Sequence, residues 1–363
     1  MPRTVRLLLS GMGNVNRSLI EVLQKQELLL AERHGLQFRI VGAADSGGAS
    51  IDPSGLDLAA LLARKRAGKS VASLPGAGQA GMSAPALVAQ TEADVLLEAT
   101  PVDMRTGQPG LDATRAALQK GVHVVIANKG PLALAFQELA ALSFAGDQVP
   151  RPPTPNPQPP APRRLPMLRF SACVGGFMPT INVGWRDMRG ARIELLEAVL
   201  NGTTQIILRA IEQGGSFADA LRDAQVRGLA ETDPTLDVEG WDAANKLIIF
   251  ANAVLGQPTT LDDIDVTGIT RLTYADLHAA AERGHRVVLL CRAALHEGRY
   301  QLSVRPTALP LSHPLARMSG DEMGAVFHTD IAGRLSLQTL ERGPEPTAAA
   351  MLRDLLEIAD GTA

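Results

Sequence analysis

Val5-Arg6-Leu7-Leu8-Leu9-Ser10-Gly11-Met12-Gly13-Asn14-Val15-Asn16 is the stretch whose reading decides the fold. A short apolar run ends at a glycine pair, and Arg17 to Arg33 then reads as a helix, with Leu19, Val22, Leu23 and Leu30 along one side. Phe38 to Ala44 reads as a second strand ending in Asp45, and Val95–Leu97 and His123–Ala127 as further strands. Strand, helix, strand at this spacing predicts an α/β fold, a Rossmann-like parallel sheet with helical crossovers. The Gly-, Ala- and Ser-rich region 46–90 gives no clear elements.

Glycines between a strand and a helix suit a dinucleotide. Gly11 permits the tight turn, and Gly13 lets a pyrophosphate reach the backbone at a helix N-terminus, with Asn14 and Val15 completing the loop. The third motif position is Asn16, not glycine, so the fingerprint is imperfect. Asp45, at the end of the second strand, can accept hydrogen bonds from ribose hydroxyls and so favours NAD over NADP. Glycine-rich turns also serve other ligands, and these residues alone leave that open.

Pro150 to Pro166 is a proline-rich run without the amide donors of a helix or central strand, and reads as an exposed linker or loop. It divides a dinucleotide-binding domain at 1–148 from a second domain at 167–325. There Leu168–Ala172 and Glu197–Leu200 read as strands, and Thr203–Gln213 and Asp242–Val254 as helices. Ser216 and Asp219 have capping-box spacing for a helix running to Arg227, and Thr347–Ala359 reads as a terminal helix. A chain of 363 residues fits two domains. A net charge of -3, with no basic run interleaved with aromatics, argues against nucleic acid or an anionic membrane as partner. Cys173 and Cys291 match no zinc or redox spacing and read as buried thiols in a reducing compartment. With no signal-peptide order and no membrane-length apolar run, a cytoplasmic protein is expected. The histidines show no ligand spacing, and no metal is expected.

Residues 228–246, Gly-Leu-Ala-Glu-Thr-Asp-Pro-Thr-Leu-Asp-Val-Glu-Gly-Trp-Asp-Ala-Ala-Asn-Lys, concentrate five acidic groups between Glu231 and Asp242 and then place a lysine. Asp242 and Lys246 share a helix face. The bland alternative is a solvated loop and an exposed ion pair worth little. Against it, Leu247-Ile248-Ile249-Phe250-Ala251 makes the following helix so apolar that Lys246 should be partly buried.

This stretch resembles the signature of homoserine dehydrogenases: Ala-Glu-x-Asp-Pro, then Asp, then Gly-x-Asp-Ala-x-x-Lys. Other segments match in the same order: Gly11 to Val15, Glu98-Ala99-Thr100-Pro101 with Thr106 to Gly110, Ala127-Asn128-Lys129, Val174-Gly175-Gly176 with Pro179, and Asn201-Gly202-Thr203-Thr204. The likeness spans residues 5 to about 357, apart from the proline insertion and the region near 50–90.

The resemblance implies NAD(P)-dependent interconversion of L-homoserine and L-aspartate 4-semialdehyde, in threonine and methionine biosynthesis. It implies an α+β catalytic and dimerisation domain, a terminal segment (326–363) returning to the first domain, and a homodimer. Position by position, Lys246 and Lys129 match lysines beside the reacting carbonyl. Glu231, Asp237 and Asp242 match acidic substrate contacts. Asn201, Gly202 and Thr203 line the pocket, and Thr100 and Pro101 lie near the nicotinamide. A lysine suits an aldehyde oxygen that gains charge as hydride arrives, and can deliver the proton, with Asp242 orienting it and Lys129 assisting. Carboxylates suit the substrate ammonium.

Four features depart from the family: Asn16; Leu229 where a tyrosine is usual; Ser171 where a glutamate often stands near a monovalent-cation site; and a C-terminal segment lacking Gly-Ala-Gly. The chain also ends without room for a regulatory domain, so feedback control through one is not expected. Two further readings therefore stand beside the main one: a paralogue acting on a different amino-acid aldehyde, and a non-catalytic nucleotide-binding protein.

Overall fold

The computed structural model describes residues 2–143, 165–226 and 233–361. They form two compact units, one of residues 1–176 with 342–363 and one of residues 177–341.

The first unit holds a seven-stranded sheet. Its strands are β1 (Arg3–Ser10), β2 (Leu36–Asp45), β3 (Gly48–Ile51), β4 (Gly78–Ala80), β5 (Val95–Glu98), β6 (His123–Ile126) and β7 (Leu168–Arg169). The order is β4-β3-β2-β1-β5-β6-β7, with β2, β1, β5, β6 and β7 parallel and β3 and β4 added antiparallel at one edge. Sequence order reverses between β1 and β5, and in such sheets ligands bind outside the strand ends at that point. Val95, Leu96 and Leu97 are buried, as are Leu7, Leu8 and Leu9, as expected for strands covered on both faces. One covering layer is the helix Asn14–Lys25 with the C-terminal helix Glu345–Gly361, whose Met351, Leu355 and Ile358 join Leu19 and Ile20 in a single core.

The predicted parallel sheet is present, with three local differences. The helix expected over 17–33 is two helices, Asn14–Lys25 and Glu27–His34, broken at Gln26. The strand expected over 168–172 lasts two residues before a 3-10 turn, Ser171–Cys173, and it lies in the first sheet rather than in the second unit. The region 46–90 contains β3, β4 and the helices Leu58–Arg66 and Ala84–Gln90. The proline-rich run lies outside the described residues apart from its last two positions, Leu165 and Pro166.

The second unit carries a six-stranded sheet of β8 (Ile193–Val199), β9 (Ile264–Val266), β10 (His285–His296), β11 (Arg299–Pro310), β12 (Glu322–Thr329) and β13 (Gly333–Leu340), in the order β13-β12-β8-β10-β11-β9. Residues 326–341 thus complete this sheet, and the part of the C-terminal segment that joins the first unit starts at Arg342. The sheet carries helices Gly202–Glu212, Trp241–Phe250 and Tyr274–Glu282.

Asp354, on the C-terminal helix, is wholly buried and accepts hydrogen bonds from the Ser171 amide (2.8 Å) and hydroxyl (2.7 Å). Burial raises its pKa to about 6; the Ser171 bonds and Arg353 oppose this, while Glu357 adds to it. The folded state therefore holds a proton that the unfolded chain releases near pH 4. The stability linked to that proton is fully present below the unfolded pKa and is lost as pH rises through about 6. Asp354→Asn should accordingly gain on the wild type by on the order of 2–3 kcal/mol between pH 4 and pH 7. Thermal melts of both proteins across that range check it, and a pH-independent difference refutes the assignment.

Candidate active site

The nucleotide loop is built by close packing of two strand ends. Gly11 has φ +81°, and a Cβ there would lie 2.7 Å from the Ala99 carbonyl oxygen and 2.7 Å from the Thr100 backbone, so only glycine fits. Gly13, which precedes the helix Asn14–Lys25, would meet nothing within 4 Å. The first glycine is thus required by the fold, whereas the second leaves open space at a helix N-terminus, as an approaching pyrophosphate needs. Asn14 is exposed and pairs with Arg17, and Val15 packs on the core.

Asn16 is a purposeful departure. It is fully buried, and its Nδ2 donates to the carbonyls of Gly11 (2.7 Å) and Ser10 (3.1 Å) and approaches that of Leu97 at 3.4 Å. A glycine could make none of these contacts between the loop and the two strands.

Asp45 ends β2 as expected, but its carboxylate is already engaged. Oδ1 accepts from the Ser70 hydroxyl (2.6 Å) and the Gly47 amide (3.0 Å), and Oδ2 from Lys65 (2.7 Å) and the Val71 amide (3.0 Å). Burial acts to raise its pKa, and these four donors outweigh burial and lower it. They match the roughly four lone-pair sites of a carboxylate, so Asp45 keeps no acceptor site for ribose in this arrangement.

Thr100 follows β5, with its amide 2.9 Å from Glu98 Oε1. The Pro101 carbonyl lies 3.5 Å from Asn128 Nδ2. Asn128 caps the helix Lys129–Leu142 through its Oδ1 and the Gly130 amide, which puts Lys129 in the first turn.

In the second unit the acidic stretch sorts itself. Asp233 caps a short turn by accepting from the Thr235 amide and hydroxyl, and Glu239 accepts from the Trp241 indole. Asp237 and Asp242 instead converge on Asn201, whose Nδ2 donates to Asp237 Oδ1 (2.6 Å) and Asp242 Oδ2 (2.9 Å). Asn201 Oδ1 meanwhile caps the helix Gly202–Glu212 at the Thr204 amide (2.9 Å), fixing Gly202 and Thr203 beside the cluster. Lys246 Nζ lies 2.7 Å from Asp242 Oδ2 and 2.5 Å from the Leu200 carbonyl oxygen, and both partners' side chains are only 13% exposed. That depth separates this pair from an ordinary surface ion pair. Gly240, at φ +88°, turns the chain so that Asp242 enters the first helical turn, where a negative charge is favoured. Glu231 and Leu229 lie outside the described residues.

Sequence reasoning missed the Leu200 carbonyl, which no side-chain pattern reveals. Nor does it place Cys291 within the electrostatic reach of Lys246: burial pushes the pKa of this wholly buried thiol on β10 up to about 12, opposed by the charge of Lys246. Cys173 is buried as well, and both are free thiols, as read. Among the described residues no cluster could hold a metal ion, and no helix is long and apolar enough to cross a membrane.

A Rossmann-like sheet with an open glycine turn, and a separate unit presenting a buried lysine held by a carboxylate, define a dinucleotide-dependent oxidoreductase. The homoserine dehydrogenase profile matches residues 179–356, and that of the homoserine dehydrogenase NAD-binding domain matches residues 11–148. The chain belongs to the homoserine dehydrogenase family.

It is 34% identical to the homoserine dehydrogenase of Methanocaldococcus jannaschii, over 98% of this chain and 99% of that one. Identity to the NAD(+)-dependent homoserine dehydrogenase of Pseudomonas canavaninivorans is 33%, over 97% and 96%. The crystal structure of the Thiobacillus denitrificans homoserine dehydrogenase superposes with a TM-score of 0.79 at 29% identity, covering 98% of this chain and 73% of that one. The chain is thus an NAD(P)-dependent oxidoreductase that interconverts L-homoserine and L-aspartate 4-semialdehyde.

The two glycines should separate on substitution. Gly13→Thr, which suits this helix N-cap about as well as glycine, should melt like the wild type and lose at least ten-fold in NADH or NADPH affinity by fluorescence titration. Gly11→Ala should lose on the order of 1–3 kcal/mol of stability as well. Equal stability of the two variants contradicts this division of roles.

Proposed function

We propose that Lys246 is the general acid and base of this reaction, and the observation that carries the reading is its buried contact with Asp242. In the reducing direction Lys246 Nζ donates a proton to the aldehyde oxygen; in the oxidising direction it takes the proton from the homoserine hydroxyl. Bound nicotinamide cofactor, NAD or NADP, supplies or accepts the hydride. An ammonium has three donors, and the Asp242 and Leu200 contacts account for two of them, leaving one for a substrate oxygen. Asp242 fixes the direction of the ammonium.

Asn201 holds Asp237 in place, and Asp237 with Glu231 would receive the substrate ammonium. Gly202 and Thr203, at a helix N-terminus, suit the substrate carboxylate. Lys129 is assigned a supporting role on the reacting oxygen, and Thr100 and Pro101 a place beside the nicotinamide. By this activity the enzyme would serve threonine and methionine biosynthesis in the cytoplasm.

Lys246→Ala should lower kcat by on the order of 10²–10⁴-fold, with the affinity for cofactor changed less than three-fold. The rate is read at 340 nm with L-homoserine and NAD or NADP, and the affinity by fluorescence titration. Turnover at the wild-type rate removes Lys246 from the chemistry.

A homodimer is also proposed. The sheet edge formed by β13 is largely exposed, including Leu335 and Leu340, and an exposed edge strand is a template for pairing. Light scattering should give twice the chain mass of 38.3 kDa; a monomer at micromolar concentration counts against it.

A further inference from the structure

Glu98 is the last residue of β5 and is wholly buried, at the end of a strand otherwise made of Val95, Leu96 and Leu97. A carboxyl in such a place is costly unless it is bonded. Its Oε1 accepts from the Thr100 amide at 2.9 Å and from the Thr100 hydroxyl. Asn128 Nδ2 approaches the same oxygen at 3.5 Å and donates to Thr100 Oγ1 at 3.0 Å. Through Oδ1, Asn128 then accepts from the Gly130 amide at 3.0 Å and so caps the helix that begins at Lys129.

The knot is tight. A Cβ on Gly110 would lie 2.6 Å from Asn128 Nδ2, 2.8 Å from Glu98 Oε1 and 3.1 Å from Thr100 Oγ1. Burial pushes the Glu98 pKa up, against hydrogen bonds from Thr100 and Asn128, and its Oε2 has no hydrogen-bond partner among the described residues. These donors are all neutral, so the carboxyl acts here as a shaped acceptor rather than as half of an ion pair.

We propose that Glu98 is a positioning residue for hydride transfer, fixing Thr100 directly and Lys129 through Asn128. This rests on the roles proposed above for Thr100 and Lys129. A shape-and-acceptor role predicts that glutamine serves where an apolar residue does not, because its Oε1 keeps the bonds from Thr100.

The test compares wild type, Glu98→Gln and Glu98→Leu well below their melting midpoints. Glu98→Leu should lose at least ten-fold in kcat with KM for L-homoserine and Kd for NADH or NADPH changed less than three-fold, and Glu98→Gln should recover kcat to within three-fold of wild type. A wild-type kcat in Glu98→Leu overturns the proposal, as does a loss confined to melting temperature. If Glu98→Leu does not fold, Asn128→Ala and Thr100→Val cut the two links separately, and wild-type kcat in both overturns it equally.

Amide exchange supplies a readout that needs no turnover. Thr100 and Gly130 should exchange faster in Glu98→Leu and not in Glu98→Gln, and unchanged exchange counts against the proposal. If wild type turns over no L-homoserine, the functional reading fails separately, and this exchange comparison alone decides whether Glu98 positions the two segments.

Discussion

The nucleotide-binding half of this enzyme depends on how closely the carboxyl ends of β1 and β5 approach. The backbone at Ala99 and Thr100 occupies the place where any side chain on residue 11 would begin. Everything above those strand ends is arranged to keep that approach. Gly11 accepts a left-handed conformation, and Asn16 ties the loop to the carbonyls of Ser10 and Gly11 and reaches toward that of Leu97. Glu98 gathers the segment after β5. The opening at Gly13 is what remains after the rest has been packed. A cofactor site made this way is rigid because its walls are strand ends, and strand ends move little when both faces of the sheet are covered.

In the second unit the equivalent constraint is electrostatic. Asp237 and Asp242 both reach Asn201, which brings two carboxylates to one carboxamide. Like charges this close repel, and the arrangement is tolerable because Lys246 supplies a cation to one of them and Asn201 supplies donors to both. Asp242, fixed by Asn201, in turn holds the lysine. On the roles proposed above, holding the substrate ammonium and delivering a proton are properties of one cluster, and disturbing Asn201 would affect both.

What could be read from the sequence follows from where the physics is local. The apolar run before Gly11, the helical spacing after it and the acid–lysine spacing of Asp242 and Lys246 are short-range patterns, and the structure contains all three. The long hairpin of β10 and β11 was not visible. Its turn is Glu297-Gly298, both with positive φ, and glutamate is a poor signal for a left-handed turn. Leu200, Asp354 and the link from Glu98 to Asn128 were silent for a different reason: the partners lie far away in sequence or are backbone atoms. The region 46–90 was opaque because its strands are three and four residues long.

Asp45 shows that a ribose-binding inference needs more than the right placement. An acidic residue at the end of β2 is where a ribose-binding carboxylate belongs, and the sequence argument for NAD followed from position alone. The argument also needs unoccupied acceptor sites and an uncompensated negative charge to repel a 2′-phosphate. Here Lys65 offsets the charge, while Ser70 and the Gly47 and Val71 amides, with that lysine, take the acceptor sites. The carboxylate instead pins the chain after β2 to the segment at 70–71, a structural duty. A ribose contact at Asp45 therefore requires one of these four donors to give way, a condition that the identity of residue 45 alone does not reveal.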